Sequence, residues 1–150
     1  MTDSDPESSS AREPSTYQGG IGSRREARER ALGLLYEAEA KSLSSVEVVA
    51  AQMVPPEDFA TELTLGVGNH LTEIDATIQT YAKDWSLDRM PSLDRALLRM
   101  GIFELIYHPE VPVAVVISEA VELAKEFSTD DSGKFVNGML SAIAESIRRS

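Results

Sequence analysis

Between Leu123 and Leu140 the chain reads Leu-Ala-Lys-Glu-Phe-Ser-Thr-Asp-Asp-Ser-Gly-Lys-Phe-Val-Asn-Gly-Met-Leu. This places a cation, Lys134, beside an aromatic ring, Phe135, where a helix should begin. Ser128, Thr129, Asp130, Asp131 and Ser132 are all residue types whose side chains cap helices. Phe135, Val136, Met139, Leu140, Ile143 and Ile147 then recur at helical spacing and should face a core. A cation and a ring at a helix N-terminus can hold a nucleobase by stacking and its phosphate by charge. The same residues also serve as plain cap and core, and spacing alone leaves both readings open. Asn137 and Gly138 fit a plain core helix poorly, because both lower helix propensity.

A second cluster lies near the other end of the chain. Arg24, Arg25, Arg28 and Arg30 are four of only fourteen basic residues. Arg24 and Arg28 share a helix face at i,i+4 spacing, at the dipole end that disfavours cations by about 0.3–1 kcal/mol each. Arginines placed there point to an external anion. The alternative is a solvated face on which Glu26–Arg30 and Arg25–Glu29 pair along the helix. Tyr36, further along and roughly on the face of Arg25 and Arg28, can stack a base or pack with its hydroxyl exposed. Asp130 and Asp131 are caps, or they meet lysines and arginines of a basic partner. Glu104, Glu119 and Glu122 add negative charge to the same half.

Composition removes several classes of chemistry. The chain has no cysteine, so disulfides and thiolate metal sites are excluded, and its two histidines, His70 and His108, lie far apart. No nucleophile has a plausible base, and Gly19-Gly20-Ile21-Gly22 follows no strand, so it is no phosphate loop. Neither catalysis nor a cofactor is expected. No stretch approaches the roughly 18 apolar residues of a membrane helix, and the N-terminus lacks a signal-peptide core, so a cytoplasmic protein is expected. A net charge of −11 argues against general nucleic-acid binding. An acidic body with one basic helix end suits local contact with RNA and a basic protein partner elsewhere.

The elements that must position these residues read as helices throughout. Residues 1–22 are rich in Ser, Asp, Glu, Pro and Gly and are expected to be disordered. A first helix follows from Ser23 as N-cap, with Ala27, Ala31, Leu34, Leu35 and Ala38 as its apolar stripe. Ser44 to Glu47 has the form of a capping box opening a short helix to about Val54. Phe59, Leu63, Val67, Leu71, Ile74, Ile78 and Tyr81 imply one long helix, with Gly66 and Gly68 allowing close contact, and Trp85 and Leu87 as core below it. Pro91-Ser92 opens a fourth helix and Pro112 a fifth, whose inward face runs from Val113 to Phe127. A sixth begins near Asp131. Val111 to Ile117 is β-branched enough for a strand but isolated among helices. The expectation is an all-α fold of two packed three-helix subdomains, about 23–88 and 89–150.

The order and spacing of "EAVELAKEFSTDDSGKFVNGML" resemble the C-terminal signature of the NusB family of bacterial transcription antitermination factors. "SRREARERALGLLYEAE" looks like that family's arginine-rich first helix, and "DRALLRMGIFELIYHPEVPVAVVISEAVELAKEF" like its central helical pair. The resemblance spans most of the chain from Ser23. It implies an all-helical, non-enzymatic factor that binds boxA-type single-stranded RNA of nascent ribosomal transcripts. The partner it implies is NusE, a small-subunit ribosomal protein, within the RNA polymerase antitermination complex. RNA contacts would then come from Arg24, Arg25, Arg28, Tyr36, Asp94, Lys134 and Phe135, and partner contacts from Arg95, Glu104, Asp130 and Asp131. The chain ends after the sixth helix, which speaks against RNA methyltransferases that carry a similar domain before a catalytic one. A purely protein-binding helical adaptor remains the alternative, and monomer and homodimer both remain open.

Overall fold

The computed structural model describes residues 20–148, with side chains from Arg24 onward. Seven α-helices and a 3-10 turn account for its regular structure: α1 (Gly20–Lys41), α2 (Ser45–Ala50), α3 (Asp58–Asn69), α4 (Leu71–Ala82), the turn Leu87–Arg89, α5 (Ser92–Tyr107), α6 (Val113–Phe127) and α7 (Asp130–Ile147). No strand occurs among the described residues, and the β-branched run Val111–Ile117 enters α6. The tail expectation for residues 1–19 lies outside the described residues. Its last part is corrected, since α1 already begins at Gly20 and Ser23 is inside the helix rather than its cap.

α5 is the hub. From Asp94 to Leu105 every residue except Arg99 is buried, as expected of a helix surrounded on all sides. It contacts α1, α3, α4, α6 and α7. α1 runs antiparallel to it, since Arg28 meets Glu104 and Arg95 meets Glu39. α7 runs parallel to it, with Gly101 under Leu140 and Leu105 beside Arg148. One buried cluster runs from Ala27 through Phe59, Ile74, Leu98 and Val116 to Ile143, and so crosses the 3-10 turn at the expected subdomain boundary. A small second cluster of Leu34, Ala38 and Val48 fixes α2, whose capping box of Ser44 and Glu47 forms as expected.

The expected long helix over residues 59–81 is two helices. The run Gly66-Val-Gly-Asn-His70 is poor in helix formers, and the chain breaks at His70, which closes α3 and precedes α4. Tertiary packing rewards those glycines: a Cβ at Gly66 would overlap the Phe103 ring of α5, and one at Gly68 would overlap Ser45 of α2. Two side chains expected in the core, Trp85 and Phe127, are exposed instead. At the far end of α5, Arg148 donates to the carbonyls of Leu105 at 2.9 Å, Val111 at 2.8 Å and His108 at 3.1 Å. A cation there satisfies orphan carbonyls and complements the helix dipole.

Two glycines in helices should respond in opposite directions to alanine. Gly66→Ala should destabilise by about 1–3 kcal/mol through overpacking, whereas exposed Gly138, with nothing within 4 Å of an added Cβ, should gain up to about 1 kcal/mol. Urea unfolding of both variants checks this, and a neutral Gly66→Ala would mean Phe103 has room to move.

Candidate nucleic-acid interface

Successive helical positions turn by about 100°, so neighbouring arginines on α1 meet different surroundings. The Arg24 guanidinium lies over the Phe59 ring of α3, 3.9 Å from its centroid. Arg25 turns to α6 and grips Glu119 with two bonds, Nε to Oε1 at 3.1 Å and Nη2 to Oε2 at 2.8 Å. Those hydrogen bonds, and then the Glu119 charge, hold the guanidinium more firmly protonated than usual. Arg28 points inward. Its Nε and Nη2 donate to Glu104 at 2.9 and 2.8 Å, and both side chains are only 2% exposed.

This corrects two site expectations at once. Arg28 was expected on RNA phosphates and Glu104 on a partner, yet each occupies the other in the interior between α1 and α5. The intrahelical pairs expected on α1 also give way to tertiary ones. Arg25 takes Glu119, and Arg30 reaches Gln52 at 3.3 Å and the Val54 carbonyl at 3.2 Å, holding the loop before α3. A signal for the buried pair exists in the sequence. Glu104 is the lone charge in the apolar run Met100–Leu105, and Arg28 stands between Ala27 and Ala31 of the apolar stripe.

The first turn of α5 withdraws two more residues. Asp94, expected at the RNA surface, is 3% exposed. Desolvation pushes its carboxyl pKa up, against the lowering effect of a hydrogen bond from Ser132 of α7. Arg95, expected at a partner surface, folds back: Nη1 donates to the carbonyls of Leu87 at 2.9 Å and Met90 at 2.7 Å, while Nη2 bonds Glu39 of α1. Neither side chain is presented outward. Arg95 acts as a staple, because carbonyls and carboxylates around a buried turn need donors, whereas the buried Asp94 Oδ1 has no hydrogen-bond partner among the described residues.

These two residues nevertheless border what remains outside. Glu39 lies one turn from Tyr36, which is 49% exposed on α1, and Ser132 lies one turn from Phe135 on α7. Arg95 therefore ties the start of α5 to the aromatic segment of α1, and Asp94 lies near Ser132 at the entrance of α7. There Thr129, rather than either aspartate, caps the helix by accepting from Ser132 N at 3.0 Å. Asp130 and Asp131 sit exposed in the first turn, where the dipole favours them. Lys134 is exposed, and half-buried Phe135 meets the Trp85 ring at 4.9 Å and 67°. Arg25 stands apart, eleven residues or about 16 Å of helix from Tyr36. Among the described residues no group of three or more His, Cys, Asp or Glu side chains could hold a metal ion.

A family model described as the NusB family matches residues 25–145. The chain belongs to the NusB family. It is 46% identical over 129 residues to the transcription antitermination protein NusB of Kineococcus radiotolerans, covering 83% of this chain and 95% of that one. Among solved structures it is similar to T. maritima NusB, at 32% identity and TM-score 0.74 over 81% of this chain and 90% of that one. It is also similar to a chain in the crystal structure of antitermination factors NusB and NusE in complex with dsRNA, at 32% identity and TM-score 0.71. That match covers 82% of this chain and 96% of the other. The family match thus takes in all seven helices apart from the start of α1 and the end of α7, with the arginines from Arg25 and the entrance of α7. No helix among the described residues is long and apolar enough to cross a membrane.

Removing one partner of a buried pair strands the other, so Glu104→Ala should cost about 3–5 kcal/mol, while Arg28→Met with Glu104→Leu should be close to neutral. Urea unfolding measures both, and the double variant should bind RNA as the parent does if Arg28 has no phosphate contact. Asp94 adds a pH signature. Its folded pKa is raised, so its protonated form favours the fold; that contribution is complete below the ordinary carboxylate range and is lost as pH rises through the folded value. Asp94→Asn should therefore gain stability relative to the parent at neutral pH, with the gain fading in acid. A gain that is the same across that pH range would exclude Asp94 as its source.

Proposed function

We infer that this chain is a transcription antitermination factor that holds short, boxA-type single-stranded RNA of nascent ribosomal transcripts together with the small-subunit ribosomal protein NusE, as a non-enzymatic component of the RNA polymerase antitermination complex. The observation that carries this reading is the entrance of α7. An exposed cation and a half-exposed ring stand side by side there, within a chain matched to the family over residues 25–145. Single strands are bound by stacking unpaired bases on aromatic rings, with cations following the backbone. Phe135 and Tyr36 supply the rings and Lys134 the cation beside Phe135, while Arg25 and Arg24 stand further along α1. A duplex offers no free base faces, so these rings favour a single strand over the dsRNA held by the NusB–NusE neighbour. Asp130 and Asp131, exposed and not needed as caps, suit a basic protein such as NusE.

One observation favours the alternative of a protein-binding adaptor without RNA contact. Arg25 is already engaged by Glu119, so its charge is partly spent inside the molecule. The salt dependence of RNA binding separates the two readings. If Arg25 meets a phosphate, Arg25→Ala should lower the slope of log K against log salt by about 0.7 for a single strand. Titration of boxA RNA, followed by anisotropy with and without NusE, should also show tighter binding with NusE, and RNA should tighten NusE by the same factor. An RNA affinity that is absent in both conditions would leave the protein-binding adaptor.

A further inference from the structure

Trp85 is the chain's single tryptophan, and the residue is 37% exposed although its backbone is hydrogen-bonded at both its N–H and its carbonyl. Lys83 takes φ 57° and ψ −96° at the end of α4, a left-handed conformation that a lysine adopts at some cost. The Trp85 N–H donates to the Ala82 carbonyl at 3.3 Å. Gln79 then clasps the segment from both sides, with Nε2 donating to the Trp85 carbonyl at 3.4 Å and Oε1 accepting from Leu87 N at 3.3 Å. The chain thus fixes the largest apolar side chain in place while leaving over a third of the residue exposed. A scattered exposed apolar residue needs no explanation, but this ring stands against a second one. Its centroid is 4.9 Å from that of Phe135, with the planes at 67°.

The two rings meet edge to face and so make a corner. A flat ligand lying on one wall presents its edge to the other, which satisfies both the stacked and the edge-to-face preferences of aromatic groups. A nucleobase has that shape, and every base has a face to stack. The exposed charges of the two segments are mixed, Lys83, Arg89 and Lys134 with Asp84, Asp88, Asp130 and Asp131. The corner therefore attracts a base through its faces more than a phosphate through charge.

We propose that Trp85 is a base-stacking residue of the RNA surface and forms, with Phe135, a corner that receives one unpaired nucleobase. This rests on the RNA-binding reading above and adds to it a residue and a reason for preferring unpaired bases. Because Trp85 is the only tryptophan, its emission reports on this corner alone. The full chain, at low salt, is titrated with a short boxA-type single-stranded RNA, and occupancy is followed separately by the anisotropy of a labelled copy. Emission should be quenched in proportion to RNA bound, and the same RNA annealed to its complement should quench far less. Trp85→Ala should weaken binding about 5- to 150-fold, the loss of one stacked base, with the salt slope unchanged because no phosphate contact is removed. Trp85→Phe should recover part of the loss, and if Trp85→Ala fails to fold, the emission titration of the parent decides alone. RNA that binds without changing the emission, or a duplex that quenches equally, overturns the role of Trp85 only. Absence of RNA binding at every salt concentration overturns the underlying reading and this proposal with it.

Discussion

Arg28 of α1 and Glu104 of α5 meet in the interior through two parallel hydrogen bonds, and neither charge has water to return to. Such a pair adds little stability over two apolar side chains, since both ions lose their hydration. What it imposes is geometry. A guanidinium fork accepts a carboxylate edge-on in one plane, so α1 can sit against α5 at one height and one rotation. At that rotation Arg25 is delivered to Glu119 on α6, Arg24 to Phe59 on α3, and Tyr36 to the outside.

The ends of α5 repeat this use of charge. Arg95 near its start and Arg148 beyond its end both donate to several backbone carbonyls, the first at the 3-10 turn and the second at the α5 C-terminus. Each replaces water that a buried chain reversal would otherwise lack. The hub helix is thereby locked at its start, middle and end by arginines that have little or no role at the surface. The acidic excess of the chain follows the opposite division: Asp130, Asp131, Glu122 and Glu126 stay exposed while several of the cations are drawn inward. The remaining positive charge is sparse and local, which suits a protein that grips a short strand and leaves part of the binding to a basic partner.

The aromatic entrance of α7 depends on the same scaffold. Ser132 donates its N–H to the Thr129 cap and its hydroxyl lies 2.9 Å from that of Ser128, so the first turn of α7 is fastened to the end of α6. Phe135, one turn later, packs half-buried against the core and meets the Trp85 ring on its outer side. A ring fixed in this way loses less side-chain entropy on binding than a mobile one.

Local pattern was enough for much of this molecule. The helices, the capping box at Ser44, the boundary at Pro91 and the buried faces of α1, α6 and α7 follow from spacing and cap chemistry, which act within a few residues. The family is likewise legible in the order of residues from Leu123 to Leu140. The break at His70 was less legible, because the hydrophobic period continues through it while the weak helix formers and the glycine contacts with Phe103 and Ser45 decide the outcome. Which charges face water was decided only by tertiary structure. Arg28, Asp94, Arg95 and Glu104 have surface-residue identities, and their partners lie in other helices, at separations that no local period encodes. Trp85 shows the converse: an apolar identity suggests the core, but α4, its clasp by Gln79 and the position of Phe135 leave the ring outside. Residue type determines what a side chain can do, and the packing of α1, α5 and α7 determines whether it does so inside the fold or at its surface.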